Sequence, residues 1–393
     1  MQLEAFLDRK GVCLEEVVAE IHARLRPVPG DVLFICGSLL EGLGNEASDV
    51  DLYLLTSRED ICFTSLDAVL LAVGSCLIDV RVMSHATANA LIESFCAWSR
   101  RPRQPRSALG FAQDQRKFLH GLHAGRPVFG AGSFESLHRL IDPLQLARHK
   151  LDWARCHADA LQVDLAGLRK EGDRHTLQFM AQELLSHAAD AILAGHLKTN
   201  PTGKWRVRQL FDISKGVEIS LPGRLIDCSL GEHFLRLHRA PKQDDTEAAH
   251  QHALRIASFT RRAFFWAEGR LLRPSAASIA RRGNSPAPGR GDQVLPHLDL
   301  DVTLRGDLLE LYRLQGSGQI FPLRADSAEL LCLFDGETTL RHAVHSGDQV
   351  GGAGQGFEMV AQLLALVSHH ELAAKPMHDV SMLEQLLGRR KVS

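Results

Sequence analysis

The chain of 393 residues is long for one domain, and its 45% hydrophobic and 23% charged content is that of a globular protein with more than one core, so two or three domains are expected. A formal net charge of −2 argues against a general nucleic-acid binder, which carries a basic excess. Eight cysteines without a CxxC pair, an N-terminus (MQLEAFLDRKG) without a signal-peptide pattern and no apolar run of membrane-spanning length point away from a disulfide framework, a zinc site and a membrane partner, and lead us to expect reduced thiols in a cytoplasmic protein.

In chain order, the apolar spacing of Leu14–Leu25 (LEEVVAEIHARL) predicts a helix, closed by Arg26-Pro27-Val28-Pro29-Gly30. Val32–Cys36 reads as a short buried strand, and Gly37-Ser38 as a tight turn with Ser38 at a helix start. Val50, Leu52 and Leu54 alternate with Asp49, Asp51 and Tyr53, a strand with one apolar and one polar face. Leu66–Val73 reads as a helix. Leu77–Val82 alternates again, with Ile78, Val80 and Val82 on one face and Asp79 and Arg81 on the other.

Ser99–Ser107 (SRRPRQPRS) is basic and proline-rich, which predicts an exposed connection and a domain boundary near 107. Residues 108–280 read as helical, with long helices around Leu144–Leu168, Thr176–His196 and Glu247–Leu272 and a polar loop, KTNPTGKWR, over Lys198–Arg206. Residues 281–296 (RRGNSPAPGRGDQVLP) have the composition of a flexible linker. Beyond it, Leu298, Leu300, Val302 and Leu304 alternate, Gly306-Asp307 signals a hairpin turn, and Leu309, Leu311 and Leu314 follow. A short helix over Ser327–Phe334, a second capped by Thr338 or Thr339, a glycine-rich connector over Gly347–Gly356 and a helix over Phe357–Ser368 complete a winged-helix-like pattern over 297–378, before a tail at 379–393.

Five positions near the start carry chemistry. Gly37 has no Cβ, so the backbone can approach a ligand closely. Ser38 offers a hydroxyl and N–H groups to a phosphate. Asp49 and Asp51 project from the same face of one strand, a pair of hard oxygen ligands suited to Mg2+. Asp79, on a later strand, can complete the metal site or take a proton from an attacking hydroxyl. Each piece also has a plain structural reading: Ser38-Leu-Leu-Glu41 as a capping box, the aspartates as a solvated strand face. Lys150 and Lys204 are candidate triphosphate contacts, Trp205 a candidate for base stacking, and Glu183 a candidate acceptor-side base. For each of these the plain reading, a solvated surface charge for the lysines and Glu183 and a core residue for Trp205, is the commoner one.

Gly37-Ser38 followed by Asp49-Val50-Asp51 resembles the signature of the DNA polymerase β-like nucleotidyltransferase superfamily. The resemblance covers roughly the first 105 residues and implies an α+β palm with a mixed sheet, with Ser38 and the Gly37 backbone holding NTP phosphates. It also implies Asp49 and Asp51 binding Mg2+, with Asp79 as third carboxylate. The helical region is similar in architecture to the helical domains of aminoglycoside-type nucleotidyltransferases. The C-terminal pattern, with the segment Leu330–Val344 (LLCLFDGETTLRHAV), resembles the PqqD-like winged helix, the peptide-recognition element of ribosomally made peptide pathways. In such domains a leader peptide adds as a strand. Here the resemblance places the groove at the strand edge near Asp307–Leu314 and the helix Phe357–Ser368.

The expectation is therefore an α+β, Mg2+-dependent enzyme with ATP as the foremost NTP. It would transfer an NMP to a precursor peptide or peptide-borne intermediate in natural-product biosynthesis, with nucleic acid not a partner. The alternatives are transfer to a small metabolite or aminoglycoside, and a catalytically silent scaffold.

Overall fold

Leu3, Phe6 and Leu7 fall on one side of a helical wheel. They are the buried stripe of α1 (Leu3–Lys10) in the computed structural model, which describes residues 1–58, 68–214, 229–241, 245–272, 294–298, 300–305, 308–313 and 320–374. Gly11 closes α1 at φ 66°, a left-handed conformation that lets its N–H reach the Asp8 and Leu7 carbonyls. In α2 (Leu14–Leu25) the buried residues Val17, Ile21 and Leu25 recur every four positions, as the sequence predicts.

The chain divides into two compact units; the first comprises Met1–Pro102, Ser107–His149 and Thr199–Trp205. Its centre is a mixed five-stranded sheet of order β3-β4-β2-β1-β5, formed by β1 (Val32–Cys36), β2 (Val50–Thr56), β3 (Ala68–Val73), β4 (Cys76–Ser84) and β5 (Arg126–Phe129). β2 and β4 run parallel, and the other pairs are antiparallel. Three helices follow β4 in sequence: α3 (His85–Ser99), α4 (Gln113–Ala124) and, after β5, α5 (Ala131–His138). One sheet face, with Leu33, Ile35, Leu52, Leu54, Ile78 and Val80, packs on Phe6, Val17 and Ile21. The other, with Phe34, Tyr53 and Leu55, packs on Phe95, Phe118 and Phe134. A strand covered on both faces needs an unbroken apolar run, which is what Val32–Cys36 is. Phe34 is the hub, with ring centroids 5.4 Å from Tyr53 and 5.2 Å from Phe134.

Three local expectations are corrected. No helix starts at Ser38: the Ser38 carbonyl accepts from Leu43 and Gly44 N–H at 2.8 and 3.1 Å, so the chain turns back on itself. Gly42, at φ 73°, and the tight seat of Gly44 against Leu39 favour this compact turn over a helix. The expected helix over Leu66–Val73 is strand β3 where it is described, joined to β4 by a two-residue turn. Gly74 takes the first turn position, where hairpins of this length favour glycine, and β3 alternates between exposed and half-buried side chains, the period of an edge strand. Thirdly, the basic segment before 107 is not wholly solvated. Arg103 reaches into the second unit's core, 2.7 Å from Asp152 and 2.9 Å from Glu268.

The second unit comprises Arg103–Arg106, Lys150–Lys198 and Arg206–Ser393. Its helices are the greater part of α6 (Pro143–Glu171), α7 (Arg174–Gly195), α8 (Arg206–Ile213), α9 (Leu230–His238) and α10 (Thr246–Leu272). The three long helices lie where the sequence places them. α7 and α10 pack most extensively, and Gly195 meets the Trp266 ring so closely that a side chain there would collide with it. Fully buried Arg155 pairs with Glu268 at 3.3 Å and lies 4.5 Å over the Phe264 ring. An ion pair so deep is strongly destabilising to break, because the surviving partner stays buried without its counter-charge.

The same unit contains the antiparallel meander β6 (Leu300–Arg305), β7 (Leu308–Arg313) and β8 (Ile320–Leu323) and the helices α11 (Ala325–Leu331), α12 (Leu340–Gly351) and α13 (Gly356–His369). Leu295, Leu298, Leu331, Phe334, Val360 and Leu364 form their core, which Phe265 and Leu272 of α10 join. The Arg261 guanidinium on α10 donates to the Leu298 and Leu300 carbonyls at 3.0 and 3.2 Å. β7 is the central strand, so the edge expected near Asp307–Leu314 is already paired on both sides. Thr339, not Thr338, caps α12, its hydroxyl accepting from His342 N–H. The supposed glycine-rich connector continues α12 to Gly351, and Asp348 then accepts from the Gly354 and Gly356 N–H groups to start α13. The Gly306-Asp307 turn, Leu314, most of the 281–296 linker and the 379–393 tail lie outside the described residues. Among the described residues no single helix is long and apolar enough to cross a membrane.

Candidate active site

The alternation of β2 and β4 brings the carboxylates together. In the parallel pairing, Asp51 stands opposite Asp79, and on its other side Asp51 is paired with Cys36, the last residue of β1. Directly paired residues share a sheet face. Asp49 lies two residues before Asp51, with the same parity. The result is a cluster in which one carboxylate oxygen from each of Asp49, Asp51 and Asp79 lies within 4.8 Å of the others.

Gly37 completes the floor. It adopts φ 82°, and a Cβ there would collide with Asp51 Oδ2 and lie 2.7 Å from Asp51 Cγ. Both the backbone conformation and the space demand glycine. Ser38 follows, buried and lining the same cavity, about 240 Å³ in volume.

The cavity lining belongs entirely to the first unit: the three aspartates, Gly37 and Ser38 on the sheet side, Arg81 on β4, Lys117 and His120 on α4, and Asn200–Thr202, Lys204 and Trp205 from the loop after α7. Of the expected phosphate contacts, Lys204 is here, with its Nζ 5.2 Å from the centroid of the Trp205 ring. Lys150 belongs to the second unit, buried, 3.6 Å from Asp190 and donating to the Lys198 carbonyl at 3.1 Å. Glu183 is exposed on α7.

The charges are unbalanced in a telling way. Burial, then the neighbouring charges of Asp49 and Asp79, push the Asp51 carboxyl up to about 7, while Arg81 and Lys204 pull the other way. Burial also raises Asp79, again against Arg81. Asp79 Oδ1 is buried without a hydrogen-bond partner. Three clustered carboxylates, one of them with an orphaned oxygen, are a hard-donor set that fits a divalent cation such as Mg2+. Arg81 cannot serve as their sole counter-ion, since it also pairs with Asp114 at 3.3 Å, and Asp114 bridges on to Lys117 at 3.2 Å.

Lys117, His120 and Asn200 were not singled out for this cavity from the sequence. Arg81 carried a signal, because it shares the parity of Asp79. Lys117 and His120 share a helix face, which exposes no chemistry until the helix is placed over the sheet.

No protein-family model matches the chain, and no curated protein does. Among solved structures, one similar chain is a nucleotidyltransferase-like protein from Exiguobacterium sibiricum 255-15, 12% identical, with a TM-score of 0.37 over 66% of this chain and 78% of that one. A likeness that distant carries no argument, and the case for a function rests on the geometry of the carboxylate cluster.

Proposed function

We propose that the first unit is the catalytic centre of an Mg2+-dependent nucleotidyltransferase, which transfers an NMP from an NTP, foremost ATP, to an acceptor. The observation that carries this reading is the convergence of Asp49, Asp51 and Asp79 beside the Gly37 turn, in a cavity that also contains Lys204, Lys117 and Arg81. Asp49, Asp51 and Asp79 would hold the cation, which when bound supplies charge neutralisation for the phosphates. The chain's own groups do the rest. Gly37 seats the Asp51 carboxylate, Ser38 offers its hydroxyl to the phosphates, and Lys204 attracts the triphosphate from the loop side. Asp79, whose carboxyl is raised from its ordinary value by burial, takes the proton of the attacking acceptor hydroxyl. The acceptor oxygen bonds to the α-phosphorus as the bond to the β-phosphate bridging oxygen breaks, and pyrophosphate leaves.

The acceptor we assign to a peptide. The support is the β6–β7–β8 sheet, whose outer strand β8 is paired with β7 alone among the described strands, the arrangement that strand addition uses. The test is pyrophosphate release from γ-labelled NTPs with Mg2+, with and without candidate precursor peptides encoded beside the gene. Release that is lost in Asp49→Asn and Asp51→Asn supports the reading. No release by the unaltered protein with any NTP and acceptor counts against it, and release stimulated by small hydroxylated metabolites but by no peptide overturns the peptide assignment alone.

A further inference from the structure

The cavity's loop side is tied down by a polar network that the proposed chemistry does not itself use. Glu41 lies in the turn between β1 and β2. Its Oε2 accepts a hydrogen bond from Asn200 Nδ2, across 159 residues of sequence. The same oxygen lies 3.2 Å from His120 Nε2, at an angle outside hydrogen-bond geometry. On the far side of the imidazole, His120 Nδ1 meets the Thr199 hydroxyl at 2.9 Å. Glu41 thus reaches two adjacent residues of one loop, directly to Asn200 and through His120 to Thr199. His120, Thr199 and Asn200 are all buried.

Asn200 does a second task. Its Oδ1 accepts from the Thr202 N–H at 2.8 Å, an Asx turn that sets the direction of the chain into the short 3₁₀ turn Gly203–Trp205. One amide side chain therefore anchors the loop with its nitrogen and shapes it with its oxygen. The next residues are Lys204 and Trp205, both facing the cavity. A lysine has several rotatable bonds and gives little orientation by itself, so its useful charge density depends on where its backbone is held.

We infer that Glu41, His120, Thr199 and Asn200 form a clasp that positions Lys204 and Trp205 for the nucleotide; this inference rests on the nucleotidyltransferase reading above. These are positioning residues. They are distinct from the carboxylate cluster, and the clasp bears on nucleotide affinity, not on metal affinity. The two hydrogen bonds of the clasp, Asn200 to Glu41 and His120 with Thr199, do not depend on the Glu41 charge. A glutamine at 41 can keep its oxygen where Oε2 now faces both Asn200 and His120.

The experiment is calorimetric titration of the full chain with Mg-ATP and, separately, with Mn2+ alone, for the unaltered protein, Asn200→Ala, Glu41→Ala, Glu41→Gln and Thr199→Val. Thr199→Val removes a single bond and serves where a larger change fails to fold, with circular dichroism checking each variant. The expected result is a rise of roughly tenfold in the Mg-ATP dissociation constant for Asn200→Ala and Glu41→Ala, as disorder returns to the loop. Thr199→Val gives a smaller rise, Glu41→Gln binds as the unaltered protein does, and Mn2+ binding stays the same throughout. Unchanged Mg-ATP affinity in folded Asn200→Ala and Thr199→Val overturns the clasp while leaving the nucleotide reading intact. A Glu41→Gln defect equal to that of Glu41→Ala overturns it as well, since charge and not the hydrogen bond would then matter. An unaltered protein that binds no nucleotide overturns the parent reading, and the clasp's role falls with it.

Discussion

Replacing Gly37 with alanine separates the needs of the fold from those of the site. The substitution adds one methyl group in two places of conflict. The backbone at φ 82° lies in the left-handed region, where an L-residue costs about 1–2 kcal/mol. The new Cβ would also lie 2.7 Å from Asp51 Cγ and 2.8 Å from Asp51 Cβ, closer than the 3.0 Å that real Cβ contacts respect. Asp51 must therefore move by several tenths of an ångström or more, and metal-site distances tolerate only about 0.2 Å. Disturbing the support of a ligand typically lowers metal affinity by about 10–100-fold. The strain alone lowers Tm by about 2–8 °C for a domain of this size. Electron paramagnetic titration with Mn2+, alongside a thermal melt, measures both. Mn2+ affinity in a folded Gly37→Ala protein within twofold of the unaltered value would refute the claim that Gly37 exists to seat Asp51.

Three further outcomes follow from the same geometry. Asp79→Asn removes a carboxylate from the cation's ligand set as well as the proposed proton acceptor, so NMP transfer falls by about 100-fold or more and Mn2+ affinity falls with it, as turnover and equilibrium dialysis together would show. His149 is buried among Phe95, Trp98 and Phe111, and burial lowers it from 6.5 to about 3. A histidine kept neutral in the fold binds its proton first in the unfolded chain, so its contribution is whole above pH 6.5 and is lost as pH falls from 6.5 toward 3. The full loss is about 4–5 kcal/mol, and denaturant midpoints of His149→Gln against pH should show a shallower acid decline in that window. Glu268→Gln leaves Arg103 and Arg155 without their shared carboxylate, which costs about 3–5 kcal/mol. A denaturation midpoint unchanged by that substitution would contradict the ion network described for the second unit.

Much of the first unit was legible because its signals are periodic. Leu14–Leu25 and Val32–Cys36 are found at the residues read from the sequence, and the parity of Asp49, Asp51, Asp79 and Arg81 anticipated their shared face. The readings that failed depended on contacts across the chain. Ala68–Val73 is short and apolar, and only its pairing with β4 makes it a strand. Ser38-Leu-Leu-Glu41 has the spacing of a capping box, yet Glu41 serves Asn200 instead. Lys150 and Lys204 looked alike as candidates, but Asp190 and the Lys198 carbonyl engage the first while the second lines the cavity. Arg103 sits in a segment whose composition reads as solvated, and its ion-pair partners lie 49 and 165 residues further on.

The central claim is that Asp49, Asp51 and Asp79 hold a divalent cation together with a nucleotide. The most direct measurement is Mn2+ binding followed by electron paramagnetic resonance, with and without ATP, in the unaltered protein and in Asp49→Asn/Asp51→Asn. The account predicts saturable binding that ATP strengthens and that the double substitution abolishes while the protein stays folded. Equal Mn2+ binding by the two proteins, or none by the unaltered protein with ATP present, would contradict it.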